Sequence, residues 1–106
     1  MPKYLVAGSY SAEGLKGLQR DKAAGRRQAV GAAIEALGGK LESVHFALGE
    51  DDVYVICELP DHVSVTALAL SASASGLIRT RTTPLLTVEE TDQALARAVN
   101  YRPPGG

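Results

Sequence analysis

Ile78-Arg79-Thr80-Arg81-Thr82-Thr83-Pro84-Leu85 closes a run, from Asp52 to Leu86, that reads strand, uncharged helix, strand. Side chains switch faces at every residue of a strand, so Arg79 and Arg81 share one side while Thr80 and Thr82 take the other. Two guanidiniums side by side call for solvent, a carboxylate partner or an anionic ligand. The run opens with Val53, Val55, Cys57 and Leu59, an unbroken apolar face suited to packing under helices, with Tyr54, Ile56 and Glu58 on the reverse. Asp61 then caps a helix, and no charged residue occurs from Val63 to Ile78. Two apolar stripes share that helix, Val65/Leu68/Ala69/Ala72 and Val63/Ala67/Leu70/Ala74. They predict burial on more than one side, by close helix packing within an oligomer. The run is too short and too rich in serine for a membrane span, which needs about 20 apolar residues.

Upstream, Lys3 to Tyr10 alternates Tyr4/Val6/Gly8/Tyr10 against Leu5/Ala7/Ser9, a strand with substance on both faces. Ser11 is a helix N-cap, and Gly14, Gly17 and Gly25 predict a broken or irregular helix before Arg26. Val30, Ala33, Ile34 and Leu37 then fall at helical spacing, and Gly38-Gly39 stops the helix. Lys40 to Leu48 reads as a second strand, with Val44 and Phe46 on one side and Ser43 and His45 on the other. Gly49-Glu50-Asp51-Asp52 supplies turn chemistry for a hairpin into Val53. Downstream, Thr87-Val88-Glu89-Glu90 is a capping box opening a third helix through about Val99.

The order is therefore β-α-β-β-α-β plus a helix, an α+β chain of the ferredoxin-like kind: a four-stranded antiparallel sheet, two helices on one face, and an extra C-terminal helix. Residues 1–99 make the single domain, and residues 100–106, ending Pro103-Pro104-Gly105-Gly106, a flexible tail. The second sheet face, expected to carry Tyr4, Val6, Tyr54 and Ile56, needs a cover. A second subunit would supply it, giving a dimeric α/β barrel-like assembly.

Composition narrows function. Eleven basic residues against twelve acidic give a net charge of −1, which argues against a nucleic-acid partner. Arg20, Lys22, Arg26 and Arg27 cluster locally and read most simply as a solvated helix start. Cys57 is alone, so no internal disulfide forms; Met1-Pro2-Lys3 leads directly into a strand, without a signal peptide, and a cytoplasmic location is expected. With 5% aromatics and one phenylalanine, the core is built of small aliphatics, which favours oligomerisation as a supplement.

Several stretches together, namely Pro2-Lys3-Tyr4-Leu5-Val6, Ser9-Tyr10, Ala36-Leu37-Gly38-Gly39-Lys40, Gly49 through Ile56, and Ala74-Ser75-Gly76 with Arg79-Thr80, resemble the GYD domain family of small bacterial proteins. The resemblance covers about Pro2 to Asp92 and implies a ferredoxin-like oligomer without implying a particular reaction. Its namesake motif is a glycine followed by tyrosine-aspartate in the hairpin. Gly49 and Asp52 are kept here, but Asp51 stands where the tyrosine is expected. A ligand-contacting role of that tyrosine would pass to Tyr54 or Tyr10.

Six residues on four strands are candidates for one ligand site on the open face: Tyr10, His45, Tyr54, Glu58, Arg79 and Arg81. Histidine is suited to general-base work, tyrosine to donating toward an oxyanion, and arginine to a bidentate grip on a carboxylate. The plainer alternatives are that His45 is an edge-strand residue bonded to Ser43 or Glu42, that the tyrosines pack an interface, and that Glu58 pairs with Arg79 or Arg81. His45, Cys57 and His62 show no metal-ligand spacing, Cys57 reads as an inert core residue, and Glu50-Asp51-Asp52 as a solvated turn. No metal, cofactor or phosphate-loop signature is present. The favoured reading is an oligomeric binding or regulatory module with a pocket at the subunit interface, its partners being a second copy and a small aromatic or carboxylate ligand. Two others stand beside it: a cofactor-independent oxygenase or isomerase, by fold analogy alone, and a purely structural assembly protein.

Overall fold

A computed structural model describes all 106 residues. Strand β1 (Lys3–Tyr10) leads to helix α1 (Ala12–Ala36), then to strands β2 (Lys40–Phe46) and β3 (Val53–Glu58), helix α2 (His62–Ala74), strand β4 (Ile78–Leu85) and helix α3 (Val88–Ala96). The sheet runs β2-β3-β1-β4, antiparallel throughout. This is the α+β arrangement expected, and it is consistent with a ferredoxin-like fold.

The helix starts follow from side-chain capping. Ser11, Asp61 and Thr87 each accept a bond from the backbone N–H three residues on, and Glu90 returns the bond to Thr87 in a complete capping box. At the end of α1, Gly39 N–H donates to the Ile34 carbonyl and Gly38 N–H to that of Glu35. This pairing needs the positive φ of 84° that Gly38 supplies. Gly39 then passes so close to β3 that a Cβ there would sit 2.2 Å from the Glu58 carbonyl oxygen. The expected irregularity in α1 falls at Lys22, whose φ of 64° and ψ of 166° break the helix into 12–21 and 23–36.

Register decides the faces. Tyr4 lies opposite Cys57 and Pro84, and Val6 opposite Val55 and Thr82, so these residues share the helical side. The core there is Tyr4, Val6, Ile34, Val53, Val55, Cys57, Leu59 and Val65. Tyr4 and Val6, expected on the open side, are therefore core residues. Tyr4 must follow Cys57 across the ladder, and the apolar β3 face had already placed Cys57 under the helices. The Tyr4 hydroxyl ends 2.7 Å from His62 Nδ1. Burial pushes its pKa up. One polar atom on this face goes unanswered, the sealed hydroxyl of Thr82.

Only 12 of 106 residues are buried, so the single chain seals a small core. The outer stripe of α2 is bare, with Val63 78% and Leu70 65% exposed, so one chain alone does not bury that helix on two sides. Every residue from Leu86 to Gly106 is exposed, and α3, which ends at Ala96 rather than near Val99, packs against nothing. The molecule accordingly extends 54 × 33 × 23 Å, with a radius of gyration of 16.7 Å where a compact domain of this length has about 13 Å.

Candidate functional site

The open face is built in rows across the strands. His45 lies opposite Tyr54, Tyr54 opposite Ala7, and Ala7 opposite Arg81. Strand spacing of about 4.8 Å makes these four one continuous row. The next row outward pairs Ser9 with Arg79, and the next inward joins Ser43, Ile56, Leu5 and Thr83. At the far end stand Lys40, Glu58 and Lys3, where Lys3 Nζ pairs with Glu42 Oε1 at 2.7 Å. A bulge between Leu41 and Ser43 introduces Glu42 there as an extra residue. The face thus has an apolar middle of Leu5, Ala7, Tyr54 and Ile56, with charge at both ends.

Four of the six candidates come together: His45, Tyr54 and Arg81 in one row and Arg79 beside it. Two do not. Tyr10 belongs to the helical side, because it lies opposite Ile78 and follows Tyr4, Val6 and Gly8 in alternation. Glu58 lies opposite Lys3, whereas Arg81 and Arg79 lie opposite Ala7 and Ser9. At about 3.4 Å per residue that is roughly 14 and 20 Å along the sheet, so neither expected Glu58–Arg pair forms. His45 is solvent-exposed on the edge strand. An oxygenase or isomerase reading needs it inside an enclosed cavity, and in the single chain it is at the rim.

The partner that Arg81 does find is Asp51, whose carboxylate accepts from Arg81 Nη2 and, at 3.1 Å, from Ser9 Oγ. Asp51 is buried, contrary to the expected solvated turn, because the Ala47–Asp52 loop folds back on β1. Asp52 fastens that fold: its N–H donates to the Gly8 carbonyl and its Oδ2 accepts from the Tyr10 N–H at 2.8 Å. Hydrogen bonding to Asp51 holds the Arg81 guanidinium above its ordinary pKa. Sequence reasoning missed Asp51 because three acids in a turn normally face water. The signal available was parity, which puts Arg81 on the side toward which the hairpin closes.

A recess of about 320 Å³ opens there, lined by Ser9, Glu50, Asp51, Arg79 and Arg81 with no apolar residue. Arg81 is engaged by Asp51, whereas Arg79 makes no ion pair. A small carboxylate placed in the recess would meet the free planar guanidinium of Arg79, the Ser9 hydroxyl already donating to the Glu50 carbonyl and Asp51, while Glu50 disfavours multiply charged anions. No three His, Cys, Asp or Glu side chains converge to hold a metal ion. Cys57 is fully buried, and desolvation pushes its thiol pKa up. No helix is long and apolar enough to cross a membrane.

Fold and face thus define a class: an α+β domain consistent with a ferredoxin-like fold, with the core on one side of the sheet and a row of polar and charged residues on the other. The sequence profile of the GYD domain matches residues 4–95, and the chain belongs to the GYD domain family. No curated protein and no solved structure is similar enough to match it. In the β2–β3 hairpin Asp51 pairs with Arg81, and Tyr54, with Ala7 between it and Arg81 across the sheet, is the nearest phenol on that face.

Proposed function

We propose that this chain is a homodimeric binding module, two copies stacking their open sheet faces and holding a small carboxylate at the Arg79 end of the interface. The observation that carries the ligand is Arg79, an unpaired guanidinium on a wholly polar recess whose other arginine is already committed. The dimer is supported by the layout of the face. An apolar centre flanked by charge at both ends suits a two-fold contact, in which both copies use the same surface. The recess has no apolar wall, so a carboxylate fits it better than a bare aromatic ring.

Thermal-shift titration with acetate and malonate, neither of which carries an apolar tail, tests the ligand. Acetate raises Tm, and Arg79→Gln abolishes the shift while leaving the dimer intact; no shift with acetate removes the reading. A second reading, a structural assembly protein, is favoured by the bare outer stripe of α2 and the unpacked α3. Assembly beyond a dimer, unaffected by any carboxylate, would establish it.

A further inference from the structure

On the opposite side of the sheet, two recesses join between α1, α2 and the strands. The inner one, about 90 Å³, is mainly apolar, with Val30, Val55, Leu68 and Ile78 among its walls. The outer one, about 280 Å³, is bordered by Gly17, Leu18, Asp21 and Ser75. Tyr10, Arg26, Ala72 and Ile78 line both. Both recesses are mainly apolar, the second somewhat less so, and Arg26 is the one cation on either lining.

Two features mark this as more than loose packing. Arg26 is only 36% exposed and is held 3.6 Å from Asp21, a long pair that leaves the guanidinium free to take a better acceptor. The backbone break at Lys22 lies between Asp21 and Arg26, and a lysine at this φ and ψ carries strain of the kind found at ligand sites.

We propose that this cleft is a binding site for a small monocarboxylic acid with an apolar tail of about four to seven carbons. The tail occupies the inner recess and the carboxylate replaces Asp21 on Arg26, with the Tyr10 side chain beside it. One guanidinium shared with one carboxylate matches a single negative charge, so phosphate is a poor fit. The site is independent of the open face and of whether a second copy covers it.

The test is a methyl-resolved NMR titration of the full chain with hexanoate, hexanamide and inorganic phosphate. Hexanoate produces saturable shifts at Val30, Val55, Leu68 and Ile78, with a dissociation constant of roughly millimolar or better. Hexanamide and the Arg26→Gln variant each bind about tenfold more weakly or worse, which corresponds to the loss of one charge-assisted contact. Ala72→Leu fills the cleft and abolishes binding, and Arg79→Gln changes nothing. The proposal is overturned by the absence of saturable shifts at about 10 mM hexanoate, by equal binding of hexanamide, or by binding lost in Arg79→Gln and kept in Arg26→Gln. If Ala72→Leu fails to fold, Arg26→Gln and hexanamide decide the matter alone.

Discussion

Asp51 keeps 6% of its side chain exposed while its partner Arg81 keeps 68%, so the pair is sealed on one side and wet on the other. The Coulomb attraction is therefore partly screened, and the Asp51 contribution rests on its bond from Ser9 as well as on the guanidinium. Asp51→Ala should cost about 1–2 kcal/mol, read as a lowered midpoint in urea. Thr82 is the opposite case, a sealed hydroxyl with no partner. Thr82→Val keeps the shape and removes the orphan, and should stabilise the fold by about 1 kcal/mol in the same assay. Gly39→Ala forces a Cβ against the Glu58 carbonyl, with backbone on both sides and no rotamer to yield. It should lower Tm by about 10–20 °C, the equivalent of about 2–3 kcal/mol. The Gly38-Gly39 stop was legible from sequence; the contact that makes the second glycine obligatory was not, since it depends on where β3 passes.

Elements built on local chemistry were the readable ones. The caps at Ser11, Asp61 and Thr87, the break in α1 and the hairpin all follow from residues within a few positions of one another. What failed was the side assigned to β1. Tyr4, Val6 and Tyr10 alternate with residues almost as apolar, so the strand alone does not say which set faces the helices; its register against Cys57 does. Helix α3 makes the same point in energy. A nine-residue helix without packing is marginal, and its capping box is its main support. Backbone hydrogen bonding at Thr87 holds the Glu90 pKa below the ordinary value of 4.5. A depressed folded value means the contribution is complete above the unfolded pKa and is lost as pH falls through the folded one. Amide protection in α3 should therefore decline as pH falls below the ordinary carboxylate value of 4.5, and Glu90→Gln should remove that pH dependence; an α3 equally protected at acid and neutral pH would show that something else holds it.

At the scale of the whole molecule, a single chain leaves much apolar surface exposed. The core is small, α3 projects, and the open side shows Leu5, Ala7, Tyr54 and Ile56 between charged ends. The small core was legible in the composition, because a chain poor in aromatics has little area to bury. The recess at Arg79 was only half legible: arginine alternation showed the charge, but the hairpin that occupies Arg81 and frees Arg79 is a tertiary event. Stacking of two open faces is the claim on which the interface pocket depends. Its most direct test is the solution mass by light scattering of the wild-type chain and of Ile56→Asp, which buries a charge in the centre of the stack. The account predicts about 22 kDa for the wild type at micromolar concentration, twice the 11.1 kDa chain, and a folded 11.1 kDa monomer for Ile56→Asp. A monomeric wild type, or an Ile56→Asp protein that remains dimeric, would contradict it.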